Sequence, residues 1–289
     1  MSDTLREIAR RTVLRVAAWK REMTAEARLA LPLGQRLPRD FVAPFRLAGP
    51  GVGIADRGGG REPPGKISPP ARPQVIAEVK LASPSQGTIA QSADPVAVAQ
   101  EYLRAGAAAL SVLTEPDFFH GRPEYLVRIR EACPDALLLM KDFVVDEYQL
   151  ALARSWGADC VLLIVALLGS ETRRYLESAR RLGLSVLVEV HDEAELTIAL
   201  ETGAELIGVN NRDLRTLKIS LEQSRRLAAH LPAGRNWICE SGLETGADLA
   251  EMQALGCRGF LIGTSLMRTG DPGNALRELL RAVAEVSHA

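Results

Sequence analysis

The stretch SVLVEVHDEAELTIALETGAELIGVNN, residues 185–211, decides the fold. It begins and ends with the short apolar runs SVLVEVH and LIGVNN. The segment between them, DEAELTIALETG, starts with an acidic residue and ends in glycine, as helices commonly do. Because the strands are almost continuously apolar, this strand-helix-strand pattern is typical of a parallel sheet with both faces covered.

Eight apolar runs of this type occur from Val75 onward. They are VIAEV, AALSVLT, LLLMKDF, CVLLIVALL, SVLVEVH, LIGVNN, WICES and GFLIGTSL, and helical patterns lie between them. Eight strand-helix units in series predict an α/β fold, a parallel (β/α)8 TIM barrel. A doubly wound open sheet is the alternative architecture.

The 289 residues are a natural length for one barrel-type domain. Residues 1–45 mix polar and apolar positions in a helical pattern and predict an N-terminal helical extension. Residues 46–74 are rich in Gly and Pro and predict a loop. The prediction is therefore a single barrel domain over residues 1–289, with the barrel itself over 75–289.

The composition excludes several classes of function. A formal net charge of -1, with 47% hydrophobic and 25% charged residues, favours neither disorder nor a polyanion-binding surface, so no nucleic-acid partner is expected. No apolar stretch approaches the length of a membrane span, and a cytoplasmic protein, monomeric or weakly homo-oligomeric, is expected. The four cysteines lack C-x-x-C spacing and the four histidines form no i, i+4 pair, which favours neither a metal site nor a disulfide scaffold.

Polar residues end nearly every predicted strand on the same side. They are Glu78 and Lys80 on the first strand, Lys141 and Asp142 on the third, Glu189 and His191 on the fifth, Asn210, Asn211 and Arg212 on the sixth, Glu240 and Ser241 on the seventh, and Gly263 and Thr264 on the eighth. In a (β/α)8 barrel the catalytic groups lie at the carboxyl ends of the strands. Period-two spacing puts Glu78 with Lys80, and Asn210 with Arg212, on common faces, so both pairs are expected to point into one pocket.

The charged pair Glu78 and Lys80 has two interpretations. It can be an ion pair inside the barrel that serves structure alone, or part of a functional site. Lys141, on a neighbouring strand end, adds a like charge that favours either a neutral amine or an anionic ligand. With two lysines nearby, Glu189 is interpreted as functional.

Small residues follow the last two predicted strands. The sequences CESGLETG and LIGTSLM place Ser241, Gly242, Gly263 and Thr264 where backbone N–H groups can approach a ligand. Loops seven and eight of such barrels commonly bind phosphate, so a phosphorylated small molecule is the expected partner.

Four residues near strand ends carry expectations of their own. Phe119 and Phe143 either floor an apolar pocket for a planar ring or simply pack in the core. His191 is expected to be solvated at the start of a helix. Asp142 is expected to bond loop backbone rather than to orient Lys141.

Seven segments together resemble a known family. In chain order, IAEVKLASPSQG, LTEPDFFHG, LLMKDFVVD, VLVEVHDEAEL, IGVNNRDL, ESGL and FLIGTSLM are similar to segments of indole-3-glycerol-phosphate synthases. The resemblance runs from Val75 to Met267, and the N-terminal helix resembles the family's extra helical segment, expected across the barrel floor. It implies a carboxy-lyase of tryptophan biosynthesis that closes the ring of 1-(2-carboxyphenylamino)-1-deoxyribulose 5-phosphate, with loss of carbon dioxide and water, and uses no metal or organic cofactor.

The resemblance also implies roles for individual residues. Lys141 would be the general acid at the ribulose carbonyl, Glu189 and Glu78 would be further acid-base carboxylates, and Lys80 would serve the substrate carboxylate and later proton transfer. The remaining implied contacts are a polar clamp of Asn210 and Arg212, the pocket-mouth residue Ser83, and a pocket and phosphate floor of Ser241, Gly242, Gly263 and Thr264.

Two other functions fit the same barrel pattern. One is the isomerase that makes the preceding intermediate, which needs one acid and one base but no grip on a departing carboxylate. The other is a barrel retained as a binding or scaffolding module after loss of catalysis.

Overall fold

A computed structural model describes residues 2–46, 73–83, 87–88, 93–213 and 216–287, without the side chains at 82, 83, 87, 88 and 287. Eight parallel strands close into a barrel, which confirms the predicted fold and excludes the open sheet. The strands are β1 (Val75–Val79), β2 (Ala109–Leu113), β3 (Leu138–Lys141), β4 (Cys160–Ile164), β5 (Ser185–Val190), β6 (Leu206–Asn210), β7 (Trp237–Glu240) and β8 (Gly259–Ile262). A short antiparallel pair, Ala82–Ser83 with Gly87–Thr88, follows β1.

The helices that the structure describes surround the barrel and cover its ends. They are α1 (Asp3–Glu22), α2 (Ala25–Leu29), α3 (Pro32–Gln35), α4 (Pro95–Ala105), α5 (Pro116–Phe119), α6 (Pro123–Ala132), α7 (Tyr148–Ser155), α8 (Val165–Leu168), α9 (Thr172–Arg181), α10 (Glu193–Glu201), α11 (Glu222–Ala228), α12 (Gly246–Ala254), α13 (Thr264–Met267) and α14 (Pro272–Ser287), with 3-10 turns at Ala43–Phe45 and Gly169–Glu171. None of these helices is long and apolar enough to cross a membrane.

The strand register brings the polar strand ends to one rim. Lys141 pairs with Leu113 of the neighbouring strand, and Glu189 pairs with Ile164. Asn210 pairs with Glu240 in the same way. Because these pairs all lie at the carboxyl ends of parallel strands, their polar side chains meet at the mouth of the barrel.

One predicted strand is shorter than its apolar run. CVLLIVALL was expected to be a strand throughout, but β4 ends at Ile164, where its pairing with β5 also ends, and Val165–Leu168 forms a helical turn. A short apolar run has no period that separates a buried strand from a buried helix, so the sequence alone does not mark this change.

The N-terminal extension closes the floor of the barrel with its last residues. Phe41, Val42 and Phe45 are fully or almost fully buried and join the apolar cluster inside the barrel. Asp159, just before β4, accepts hydrogen bonds from the side chains of Arg36 and Arg130. The extension is therefore fixed to the amino ends of the strands.

Helix α1 lies at the opposite end of the barrel, so its expected position across the floor is wrong. Leu5 of α1 lines the cavity at the mouth, and Arg15 contacts Asp117 and Asp142 in the loops that follow β2 and β3. The extension thus runs from the mouth to the floor along the outside of the barrel. A loop was expected at 46–74, and residues 47–72 of this range lie outside the described part of the structure.

Candidate active site

One cavity at the mouth of the barrel collects the residues that the sequence singled out. Of the thirteen residues expected to be catalytic or to contact the substrate or its phosphate, twelve line it: Glu78, Lys80, Phe119, Lys141, Phe143, Glu189, Asn210, Arg212, Ser241, Gly242, Gly263 and Thr264. The thirteenth, Ser83, has a side chain outside the described part of the structure. Side chains spread over nearly two hundred residues of sequence therefore converge on a single space.

Lys141 lies among carboxylates at the base of this cavity. Its Nζ is 2.5 Å from Oε2 of Glu240 and 3.4 Å from Oε2 of Glu189. Burial opposes the charge of the amine, but Glu240, Glu189 and Glu78 outweigh burial and raise the pKa of Lys141. The amine is therefore an ammonium ion at neutral pH, and the alternative of a neutral lysine is wrong.

The two carboxylates that share Lys141 have different surroundings. Burial would raise the pKa of Glu189, but Lys141 and His191 outweigh it, and a hydrogen bond from Asn210 also stabilises the anion, so the pKa is lowered. Burial raises the pKa of Glu240 to about 7, because Lys141 only partly offsets burial and Glu189 adds repulsion. Two adjacent carboxylates with pKa values pushed apart can serve as base and acid in one reaction.

Glu78 and Lys80 form a second charged pair on β1. The Nζ of Lys80 is 2.9 Å from Oε1 of Glu78, and the hydroxyl of Ser111 lies 3.4 Å from Oε2. Burial acts to raise the pKa of Glu78, but Lys80 and Lys141 lower it overall. Both members line the cavity, so the pair is accessible to a ligand as well as being an internal ion pair.

Two glycines make room for the carboxylates. A methyl group at Gly208, in the middle of β6, would lie 2.0 Å from Oε1 of Glu240. A methyl group at Gly263 would lie 2.7 Å from Oε1 of Glu78. A side chain at either position would therefore displace the neighbouring carboxylate from its present place.

An aromatic wall stands beside Lys80. The ring centroids of Phe119 and Phe143 are 5.9 Å apart, and Nζ of Lys80 lies 5.7 Å from the ring centroid of Phe119. The buried carboxylate of Glu115 accepts hydrogen bonds from the backbone N–H groups of residues 117–119 and so fixes Phe119. These rings and the ammonium line the same cavity, where together they offer contacts to a planar apolar group that carries an anion.

The turn after β7 is strained and braced. Ser241 has a φ of 66° and Gly242 a φ of 80°, so two successive residues adopt the left-handed conformation. The side-chain amide of Asn211 donates hydrogen bonds to the carbonyl oxygens of Glu240 and Ser241 and holds this turn in place. Strain of this kind in a non-glycine residue at a cavity is typical of a ligand-binding turn.

The structure adds residues that the sequence did not select. Glu240 was recognised only as a strand-end residue, yet it makes the shortest contact to Lys141. His191 was expected to be solvated, but its side chain is 10% exposed and lies between Glu189 and Glu195. The signal for Glu240 was Gly208, since a glycine inside a strand often marks the close approach of another group.

Asp142 bonds loop backbone, as expected, and also makes two contacts that were not expected. Its Oδ1 accepts the N–H of Phe143 at 2.8 Å, and its Oδ2 accepts the hydroxyl of Thr114 at 2.7 Å. Arg15 of α1 lies 3.6 Å from Oδ1. Asp142 therefore links α1 to the loops at the mouth of the barrel.

Comparison with known proteins agrees with the fold and with the resemblance. The family model described as indole-3-glycerol phosphate synthase matches residues 66–279. The indole-3-glycerol phosphate synthase of Aromatoleum aromaticum is 42% identical over 274 residues, which cover 92% of this chain and 97% of that protein. The one from Laribacter hongkongensis is 50% identical over 210 residues, 72% of this chain and 80% of that protein.

A solved structure that resembles this one shows the fold alone. The 3-hexulose-6-phosphate synthase of Salmonella typhimurium superimposes with a TM-score of 0.56 at 14% identity, over 73% of this chain and 99% of that one. The family model and the relatives, in contrast, match most of the chain in sequence. The chain belongs to the indole-3-glycerol phosphate synthase family.

Proposed function

We propose that this pocket closes the ring of 1-(2-carboxyphenylamino)-1-deoxyribulose 5-phosphate to give indole-3-glycerol phosphate, carbon dioxide and water. The observation that carries the proposal is the ammonium group of Lys141, held by Glu189 and Glu240 and facing the cavity. A cation in this position is suited to a carbonyl oxygen that gains negative charge during the reaction.

The first chemical step makes a carbon-carbon bond. The aromatic carbon that bears the carboxylate attacks the ribulose carbonyl, and the oxygen of that carbonyl becomes an alkoxide. Lys141 stabilises the alkoxide by charge and donates a proton to it, because an alkoxide is a stronger base than an amine. Glu240, with a pKa of about 7 and 2.5 Å from the same amine, can return the proton to Lys141.

Loss of carbon dioxide follows when the electrons of the carbon-carboxylate bond return to the ring. Lys80 lies beside the rings of Phe119 and Phe143, where it can hold the carboxylate against an apolar wall. The final loss of water needs an acid at the leaving hydroxyl and a base for the remaining proton. The ionised Glu189, 3.4 Å from Lys141, is assigned as one base, and the Glu78 and Lys80 pair offers a second acid and base.

The phosphate group is assigned to Gly242, Gly263 and Thr264. These residues follow β7 and β8, and they line the same space as Lys141. Because the phosphate is remote from the reacting carbons, its binding energy can orient the flexible sugar chain. Asn210 and Arg212, which also line the cavity, are assigned to the sugar hydroxyls and the carboxylate.

The test is turnover of the purified protein, followed by the fluorescence of the indole product. Lys141→Ala should lower turnover by at least about 100-fold, the range for loss of a general acid, while circular dichroism shows an intact barrel. Lys20→Ala is the control, because Lys20 is an exposed lysine that pairs with Asp146 on the surface. Near-normal turnover in Lys141→Ala would remove Lys141 from the chemistry, and no product from the wild type would reject the proposed reaction.

A further inference from the structure

His191 directly follows β5, two residues after Glu189, and does not line the cavity. Its Nε2 is 3.3 Å from Oε1 of Glu189, at ion-pair distance but without the alignment of a hydrogen bond. On the other side of the ring, Nδ1 lies 3.0 Å from Oε2 of Glu195, which also accepts the backbone N–H of His191 at 2.7 Å. The imidazole is thus held between two carboxylates.

Glu195 belongs to α10, and the first turn of that helix keeps it in place. The N-cap Asp192 accepts the backbone N–H of Glu195 at 2.9 Å. The carboxylate of Glu195 is partly exposed, whereas His191 and Glu189 are almost completely buried. The row of Glu195, His191 and Glu189 therefore leads from the surface of the barrel to the catalytic cavity.

Among the described residues, the charged groups that face this row come from several strands of the barrel. Glu189 meets Lys141 from β3, the amide of Asn210 from β6 and His191 just after the end of β5. Glu240 from β7 approaches through Lys141, and Glu78 from β1 acts on Lys141 at longer range. His191 faces only the two carboxylates of Glu189 and Glu195 within ion-pair distance among the described residues.

The two carboxylates on Lys141 compete for its single charge. Glu189 has two cationic neighbours, Lys141 at 3.4 Å and His191 at 3.3 Å. Among the described residues, Lys141 is the one cation within 4 Å of the Glu240 carboxylate, and Oε1 of Glu240 has no hydrogen-bond partner. Two carboxylates that share one cation do not both remain ionised easily, so the one with fewer cationic neighbours takes up a proton first.

We propose that His191 is a positioning residue that keeps Glu189 ionised and oriented toward Lys141, and so assigns the mobile proton of the cluster to Glu240. The proposal rests on the proposed function, because it divides the roles of base and acid between two groups of that site. His191 touches no substrate in this arrangement and acts through Glu189 alone.

The electrostatics of the buried groups agree with this division. Burial lowers the pKa of His191, but Glu189 and Glu195 outweigh burial and raise it to about 10, so the ring is an imidazolium at neutral pH. The same imidazolium contributes to the lowered pKa of Glu189. Without it, the pKa of Glu189 would rise toward that of Glu240, and the proton would be shared between the two carboxylates.

A spectroscopic experiment tests the charge of His191 without reference to activity. Imidazole nitrogen-15 spectra of the wild type, assigned with His191→Gln, should show His191 as an imidazolium at pH 8. Carboxyl carbon-13 spectra, assigned with Glu189→Gln and Glu240→Gln, should show Glu240 protonating at a higher pH than Glu189. A neutral His191 ring at pH 8, or protonation of Glu189 before Glu240, would overturn the proposal.

A kinetic experiment tests the consequence of that charge. His191→Gln should lower kcat at pH 7 by about 10- to 100-fold, the usual loss for a supporting group, with KM changed by less than about threefold. The acid limb of the kcat profile should move to higher pH by about one unit or more, because an opposite charge at this distance depresses a carboxyl pKa by that much. A loss of kcat with an unmoved acid limb would leave only a structural role and overturn the proposal.

Controls separate the role of His191 from general effects. His230→Gln removes an exposed imidazole and should keep wild-type kcat at every pH. If His191→Gln fails to fold, Glu195→Gln carries the test, and it should move the acid limb in the same direction by a smaller amount. If both fold, adding Glu195→Gln to His191→Gln should not lower kcat further, because Glu195 acts only through His191.

The two proposals fail in different ways. A wild type that forms no indole product would reject the proposed reaction, while the nitrogen-15 and carbon-13 titrations would still decide the assignment of the proton. A normally active wild type with a neutral His191 would reject this inference alone.

Discussion

The two ends of the barrel each hold a buried cluster of charges, and the two clusters are built differently. At the floor, Asp159 is completely buried and its carboxylate accepts four hydrogen bonds. Its carboxylate accepts the N–H of Arg39 at 2.8 Å, the N–H of Leu138 at 2.9 Å, the guanidinium of Arg130 at 2.5 Å and a further bond from Arg36. Asp159 does not line the cavity at the mouth.

The cluster at the mouth leaves some of its bonding capacity unused. Glu240 is as buried as Asp159, but its Oε1 has no hydrogen-bond partner among the described residues. Its one cation, Lys141, is shared with Glu189 and faces the cavity. The carboxylates therefore depend on one another for their charge state.

The difference separates structural charges from chemical ones. A buried carboxylate with a complete set of donors stays ionised and fixes the segments that supply those donors. A buried carboxylate that shares a donor and adjoins a cavity can change its protonation when a ligand binds. Burial alone does not distinguish the two clusters, whereas the count of hydrogen bonds at each oxygen does.

The largest loss of stability is expected from a substitution in the charge cluster at the floor. Asp159→Ala leaves the guanidinium groups of Arg36 and Arg130 without their anion, and should lower the free energy of unfolding by about 3 to 5 kcal/mol, as measured in urea. Turnover per folded molecule should stay within about twofold of the wild type, because the cavity lies at the other end. Asp135→Ala, at an exposed aspartate that pairs with Arg39, is the control and should cost less than about 1 kcal/mol.

The reverse pattern is expected at the mouth. Glu240→Gln keeps the shape of the side chain but removes the group that protonates, so kcat should fall by about 100-fold, near 3 kcal/mol in the barrier. The free energy of unfolding should change by less than about 1 kcal/mol, since an under-bonded buried charge is lost. Glu251→Gln, at an exposed glutamate paired with Arg225, should leave both quantities unchanged.

A large loss of stability in Glu240→Gln with normal turnover would make the mouth cluster structural, like the floor. The comparison between the two ends would then fail.

Much of this architecture follows from the sequence. The run VIAEV coincides with β1, and the strand-end positions of Lys141 and Glu189 were enough to predict that they converge, as their 3.4 Å contact shows. This succeeds because the period of strands and helices fixes which end of each strand carries a given residue. Residues at the same end of parallel strands meet whatever their separation along the chain.

What the sequence did not predict depends on packing between distant segments. The buried face of α1, which includes Leu5 and Val16, shows that the helix packs against something, but not which end of the barrel it covers. The burial of His191 depends on how α10 packs beside β5. The position of the Glu240 carboxylate depends on the space left by Gly208. Such facts concern the direction of side chains in three dimensions, which local periodicity does not carry.

Asp142, at the mouth, is an intermediate case. Its carboxylate is well hydrogen-bonded, yet burial disfavours its ionised form. Burial raises the pKa of Asp142 from 3.8 to about 6, with Arg15 only partly offsetting it. A carboxyl whose folded pKa is raised stabilises the fold below its unfolded pKa, and this contribution is lost as pH rises through the folded pKa. The wild type should therefore lose about 2 kcal/mol of stability between pH 4 and 7 from this group.

Asp142→Asn should remove that step from the pH dependence of urea unfolding. The difference in unfolding free energy between wild type and variant should favour the wild type at pH 4 and fall by about 2 kcal/mol by pH 7. Asp117→Asn removes another partner of Arg15 from a more exposed position and should keep the wild-type step. An unchanged step in Asp142→Asn would place Asp142 with the fully bonded floor cluster.

The smallest effect is expected for a residue at the mouth that binds the substrate but takes no part in the chemical steps. Thr264 lines the cavity at the start of α13, and its hydroxyl is assigned to the substrate phosphate rather than to the reacting carbons. Thr264→Ala should raise KM by about 3- to 10-fold, the loss of roughly one hydrogen bond, with kcat within about twofold of the wild type. Thr264→Ser keeps the hydroxyl and should retain the wild-type KM. A large fall in kcat at constant KM would instead put Thr264 beside the reacting atoms, and the phosphate would then have to bind at another part of the rim.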